Sequence, residues 1–317
     1  MNKEFLITGG FLDDSYDSFV GKITLIEGQE NDNLRFELIR LMETPNQSLK
    51  VLNKGFTGGS IYKNSLWVCS SNQIFSFSLD DFKLEKTIDN PLFNDLHYVL
   101  AEKEGLCVIN TGLESIDLLD YNGKLISRKL LISDEVTREK IGKFKDFRTV
   151  DSNPHFIHAN SCYRTLEGNL LVTCLRQNRV VDTEHWEWVS PLYPTPPHDG
   201  FIHQYHPENK ECLWVSTVSG QVIASDPVTF KVIKKWDLLE MGLPPAWFRG
   251  LCVLEDGLLV GATRIVESNV GYYSGWSNDE VKNSKSYISY VPFNTLKPVY
   301  LEIIPERITK IFSIISI

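Results

Sequence analysis

The sequence predicts an all-β fold, a six-bladed β-propeller occupying residues 1–317 as a single domain, and three observations carry that expectation. Five segments superpose so that an apolar strand follows a turn ending in Gly or Asn at nearly one phase: TGGSIYKNSLWVCS from Thr57, HYVLAEKEGLCVIN from His97, NSCYRTLEGNLLVTC from Asn160, FIHQYHPENKECLWVST from Phe201 and RGLCVLEDGLLVGAT from Arg249. Their recurrence every roughly 40 to 60 residues, with strand patterning inside each unit, is the signature of radially repeated four-stranded sheets. The two ends of the chain also complement each other, residues 4–43 supplying three strands and the C-terminal segment one.

Each blade is an antiparallel meander, strands a to d running outward from the central channel. Blade 1 takes FLITGG, GKITLIEG and LRFELIRLME, and its innermost strand is the C-terminal ITKIFSIISI (308–317). That arrangement closes the ring and leaves few exposed edges. Blade 2 reads GSIY, LWVCS, IFSFSL and LEKTID. Blade 3 reads HYVLA, LCVIN, SIDLLD and KLISRKLL, with Asn122-Gly123 as a two-residue hairpin between c and d. Blade 4 reads SCYRT, LLVTC, NRVVD and HWEWVS, and blade 5 FIHQYH, CLWVST, QVIASD and KVIKKWDL. Blade 6 reads GLCVL, LLVGAT, SYISYVPF and VYLEIIP, with a long insertion between b and c.

Composition limits the function classes. At 42% hydrophobic and 23% charged residues the chain supports a large core and contains no low-complexity tract. Its apolar runs are far shorter than a membrane span and MNKEFLITGG lacks the apolar stretch of a secretory signal, so a cytoplasmic location without a membrane partner is expected. A net charge of -9 with no basic run argues against a nucleic-acid partner. The six cysteines fall in or beside the inner strands with no CxxC pair, which reads as buried free thiols.

The loops are asymmetric. The a–b and c–d turns are short (YKNS, EKEG, LEGN, LEDG, YNGK), whereas the d–a and b–c connections on the other face are long. These include 131–157, with a short helix capped by Ser133, then 190–200, 238–248 and 264–285. They carry Tyr193, Trp247, Tyr272, Tyr273 and Trp276, and GYYSGW reads as a lid or ligand wall. Packing between blades is the alternative for such aromatics, with equal weight for Trp186 and Trp188.

Aligning the innermost strands by the b strands that follow puts Thr57, His97, Asn160, His198-Asp199-Gly200 and Arg249 at equivalent positions where each blade enters from the mouth face, with His158 one step further out. An apolar scaffold presenting a few convergent polar groups is what a small-molecule site requires. The same residues also read as the lining of a water-filled channel. Chemically, Arg249 would fork a carboxylate or phosphate, His97 would transfer a proton, and Asp199 would orient or activate His198 or the substrate. Asn160, His158, Thr57, Trp247, Tyr272, Tyr273 and Trp276 complete the expected substrate-binding set. No GxSxG, P-loop, GxGxxG or HExxH occurs.

In these residues the chain resembles the six-bladed propellers of the gluconolactonase, strictosidine-synthase and NHL type. His158-Ala159-Asn160-Ser161 is similar to the Arg-Pro-Asn-Asp segment of the gluconolactonases, whose Asn is a metal ligand, and Asp199-Gly200 resembles their Asn-Gly. Arg249-Gly250-Leu251 stands where that family has Asp-Gly-Met, the Asp being ligand and base. A guanidinium repels a cation, so no metal is expected, and only Glu306 could supply the further acidic ligand such a site needs. The ring residues, with Arg249 in place of the acidic ligand, point to a metal-independent small-molecule enzyme without a cofactor, a hydrolase, lyase or tailoring enzyme of a biosynthetic pathway acting on an organic anion. Two other readings remain: a non-catalytic scaffold presenting the aromatic mouth loops to a protein or peptide partner, and a metal-dependent lactonase with altered ligands and a divalent cation.

Overall fold

The computed structural model describes the chain apart from residues 1, 13–16, 27–32, 44–54, 133–134, 136–138, 140–145, 151, 153–154, 166, 186, 206–209, 267–274 and 308. The described residues form six four-stranded antiparallel sheets in the expected order. Blade 1 is completed by Thr309–Ser316, which pairs with Asn2–Phe11 along its length, from Phe11↔Thr309 to Phe5↔Ser316. The closing strand is therefore a full member of the sheet, and Thr8 Oγ1 and Ser313 Oγ share a hydrogen bond of 2.7 Å across the seam.

Burial follows position in the blade. The b strands Gly105–Asn110, Leu170–Cys174 and Gly257–Thr263 are buried at every residue, because both of their faces are covered by neighbouring blades. Outer strands such as Leu84–Asp89 are mostly exposed. The core accordingly lies between blades: Trp214 and Trp236 of blade 5 meet Phe248 and Tyr287 of blade 6, and Phe5 and Phe19 of blade 1 meet Leu259 and Ile288 of blade 6. All six cysteines are buried and free.

Two details depart from the strand boundaries read from sequence. The outer strand of blade 4 is only Glu187–Trp188. Asp182 stops its sheet early by accepting hydrogen bonds from Glu184 N and His185 N, which turns the chain at 183–185. The insertion of blade 6 contains a short helix, Asn278–Asn283, started by a reciprocal cap in which Ser277 and Glu280 each accept from the other's backbone. The helix expected after Ser133 lies outside the described residues, as do Trp186, Tyr272 and Tyr273. Among the described residues no helix is long and apolar enough to cross a membrane.

Candidate functional site at the mouth of the channel

The innermost strands do not pair evenly with their b strands. In blade 3 the register slips between Leu96 and Tyr98, in blade 4 between Ala159 and Cys162, in blade 5 between Pro197 and Gly200, in blade 6 between Phe248 and Leu251, and in blade 1 opposite Thr8 and Gly9. The residues caught in these bulges are His97, Asn160-Ser161, His198-Asp199, Arg249-Gly250 and Phe312. A bulge bends its strand and re-aims a side chain. Here each bulge turns a residue toward the propeller axis, and Gly250 takes the left-handed conformation (φ 75°) that the turn in blade 6 demands.

Bulging frees backbone carbonyls, and buried carbonyls need donors. Threonines on the preceding blade supply them. Thr8 Oγ1 donates to Thr57 O, Thr57 Oγ1 to Leu96 O, Thr111 Oγ1 to Ala159 O, Thr173 Oγ1 to His198 O, and Thr263 Oγ1 to Ile311 O. Thr57 is fully buried within this belt, its hydroxyl directed at backbone carbonyls, and so belongs to the scaffold of the site.

Phe312 is the centre of the arrangement. Its ring contacts His97 of blade 3 (centroids 5.5 Å apart), His198 of blade 5 (5.1 Å) and the Arg249 guanidinium of blade 6 (5.3 Å). Lys310 lies over the same ring at 4.8 Å. A blade 1 side chain touching blades 3, 5 and 6 lies across the axis. It forms a floor on which the polar residues stand.

Two histidines have defined tautomers. His97 Nδ1 is 2.9 Å from the backbone O of Asp95, and a carbonyl can only accept, so Nδ1 carries the proton and Nε2 keeps its lone pair. His198 Nδ1 faces Asp199 Oδ2 at 2.9 Å with the same consequence. Asp199 Oδ2 also accepts from Gly250 N at 2.6 Å and so ties the bulge of blade 6 to that of blade 5. His158 packs edge-on against His97 (5.0 Å) and shares a 2.8 Å hydrogen bond with His155 through their Nδ1 atoms. Glu114 places this segment by accepting backbone hydrogen bonds from Phe156, Ile157 and His158. Four of the seven histidines thus gather at the mouth.

The electrostatics follow from depth. Burial holds His97, His158 and His198 below the usual imidazole range, so all three are neutral at neutral pH. Burial lowers the Arg249 guanidinium to about 10, against the attraction of Asp199 and Asp95. Burial and the positive Arg249 push the Lys310 amine well below its ordinary value. Arg249 lies between Trp247 (5.2 Å) and Phe312, retains some accessible surface, and its Nε has no hydrogen-bond partner among the described residues. No carboxylate of the described residues is within ion-pairing distance of it. Asn160, 1% exposed, donates to Pro197 O and leaves Oδ1 without a partner among the described residues.

The structure therefore brings together His97, His158, Asn160, His198, Asp199 and Arg249. Trp247 supports Arg249 and stacks on Trp276, which is buried with Leu175, Val218 and Ile265. These two indoles fasten the insertion of blade 6 to the ring. Tyr193 is likewise buried, between blades 4 and 5. Lys310, Phe312, Asp95 and His155 went unread in the sequence. For the first two a signal existed: carrying the alignment of innermost strands through to ITKIFSIISI sets them at the ring.

The resemblance to metal-binding gluconolactonases does not extend to the donor set. Arg249 is cationic, and Glu306 is exposed. Among the described residues no group of three or more His, Cys, Asp or Glu is placed to hold a metal ion. These side chains do not fit a divalent cation.

No protein-family profile matches the chain, and no curated protein matches it. Solved structures share its fold. The crystal structure of a nidogen/laminin complex aligns at 9% identity over 99% of this chain and 98% of that one, with a TM-score of 0.60. A protein of unknown function from Bacteroides caccae aligns at 10% identity over 100% and 99%, with a TM-score of 0.57. The Pan2 WD40 domain of Neurospora crassa aligns at 13% identity and a TM-score of 0.48 over 77% of this chain, which spans 64% of its length. At such identities the likeness shows the fold alone: the protein is a six-bladed β-propeller.

Proposed function

We propose that the protein binds a small organic anion at the mouth of its channel and acts on it by acid–base chemistry without a metal, as a hydrolase, lyase or biosynthetic tailoring enzyme. The observation that carries this reading is Arg249, held between two aromatic rings, with an Nε unpartnered and no carboxylate in ion-pairing range among the described residues. A guanidinium in that state is complementary to a carboxylate or phosphate. Lys310 adds an amine donor over the same ring, and Asn160 Oδ1 an acceptor. His97, neutral with its Nε2 lone pair available, is suited to take a proton, and Asp199 fixes His198 in the equivalent tautomer. The finer kinship with gluconolactonase and strictosidine-synthase propellers belongs to this proposal, in its metal-free form.

The test is a panel of carboxylates and phosphate monoesters screened by calorimetry. Arg249→Ala weakens the best binder by about 2–5 kcal/mol, the usual loss for one partner of a buried charge-assisted contact, with little change in melting temperature. His97→Gln leaves that binder's affinity intact and lowers turnover roughly 10²–10⁴-fold. An anion that binds wild type and Arg249→Ala equally would refute the reading.

A second reading has one observation in its favour. Phe156 and Leu192, on mouth-face loops, are 71% and 63% exposed. A protein partner at the mouth would use them, and Phe156→Ser would then abolish capture while leaving anion binding unchanged.

A further inference from the structure

Beneath Phe312 the channel opens again into a cavity of about 350 Å³. Its walls begin one residue past the ring on several strands: Tyr98 follows His97, Ser161 follows Asn160 and Ser313 follows Phe312. The cavity therefore lies on the far side of the floor, toward the face of the short turns. Glu102 and Arg164, both in its lining, form an ion pair there at 2.6 Å. Arg249 and Lys310, both packed against Phe312, are not part of its lining.

Among the described residues nothing donates to Asp199 Oδ1, because the hydrogen bonds from His198, Ser216 and Gly250 all converge on Oδ2. Asp199 is only 7% exposed and lines the cavity. A carboxylate oxygen at that depth with no protein donor favours a charged donor over a neutral one. The remaining lining includes Tyr98, Phe201 and Leu251, whose aromatic faces and aliphatic surface suit an ammonium on an apolar body.

We infer that this lower cavity is a second ligand site, for a small primary amine whose ammonium donates to Asp199 Oδ1. The ligand enters from the face of the short turns, past Ser316, and its apolar part rests against Tyr98 and Leu251. Because Asp199 also orients His198, an amine in the lower cavity contacts the residue that fixes the mouth site's tautomer. The two sites share one carboxylate, an oxygen each.

Benzylamine is the probe, titrated calorimetrically into the full chain. It binds saturably with one equivalent, and benzyl alcohol and phenylacetate bind at least about tenfold more weakly, since neither brings a cation to the carboxylate. Ser316→Trp, at an exposed rim position, blocks entry and abolishes binding. Asp199→Asn weakens binding by roughly tenfold or more if it folds; should it not fold, the Ser316 variant carries the test. Arg249→Ala, which disables the mouth for anions, leaves benzylamine affinity unchanged, so the two sites fail or succeed separately. Absence of saturable benzylamine binding, equal binding of benzyl alcohol, or affinity indifferent to Ser316→Trp overturns the inference.

Discussion

The first and second strands of each blade lie side by side and are both buried, yet they behave differently. Between b and c strands the ladders run without a slip, as in Ser115↔Asn110 through Leu119↔Leu106 or Leu213↔Ser225 through Ser216↔Val222. Between a and b strands, blades 1, 3, 4, 5 and 6 all slip at one height. The even ladders are faced on both sides by apolar neighbours and hold the ring together. The uneven ones surrender regular pairing so that His97, Asn160, Asp199, Arg249 and Phe312 reach the axis. The comparison teaches that architecture and chemistry divide along a single strand: its lower half pairs, and its upper half presents.

The strongest way to break this comparison is to remove an innermost strand. Deleting 309–317 strips blade 1 of its a strand and exposes the edge of Asn2–Phe11, together with the apolar surface that Ile311 covers, as at Leu259 and Ile288. The expected outcome is loss of cooperative thermal unfolding, far beyond what a terminal truncation normally causes. A melting temperature equal to that of the intact chain would show that the closing strand is dispensable.

Acid sharpens the comparison next. His97, His158 and His198 are held below the ordinary value of 6.5, so below that pH the unfolded chain binds protons that the folded chain refuses. Stability is full above pH 6.5 and falls as pH drops toward the folded-state values, by up to about 1.4 kcal/mol per pH unit for each histidine. Denaturant midpoints from pH 7 to 5 measure the slope. His158→Gln removes one of the three groups and flattens it; an unchanged slope would mean that His158 is not buried neutral.

The smallest effect separates the two ladders directly. Thr173→Val leaves Ser161 N without its hydroxyl partner and His198 O with only the longer bond from Ser161 Oγ (3.3 Å), and costs about 1–3 kcal/mol. Ile223→Val, a loss of one methylene on the regular c strand of blade 5, costs about 0.5–1.5 kcal/mol. Urea unfolding of both variants gives the ranking, and a reversed order would deny the threonine belt its role.

Much of this was legible in the chain and some was not, for physical reasons. The blades were readable because a strand covered on both faces must be apolar throughout, as LCVIN and LLVTC are, and because Gly and Asn mark the hairpins. The closing strand was readable because three strands at one end and one at the other leave a single way to complete a sheet. The ring was found where polar residues interrupt apolar strands, as at His97 and Arg249. Phe312 escaped because an aromatic in an apolar strand looks like core. Lys310 was masked by the same apolar run. Asp95, His155 and Glu114 sit in loops and turns, whose conformation no periodicity encodes. The bulges themselves left no trace, since an extra residue in one strand is visible only against its partner.

The position of Phe312 and Lys310 in the chain also dictates when the mouth site can come into being. Blades 2 to 6 are encoded before Thr309–Ser316, and domains form from the N-terminal side during synthesis. A nascent chain can therefore acquire His97, Asn160, Asp199 and Arg249 while the place of the floor is still empty. Only Thr309–Ser316 closes the ring, and the same strand delivers Phe312 between His97, His198 and Arg249. Closure of the ring and assembly of the site are one event, so a chain terminated before Thr309 lacks the site as well as the closure.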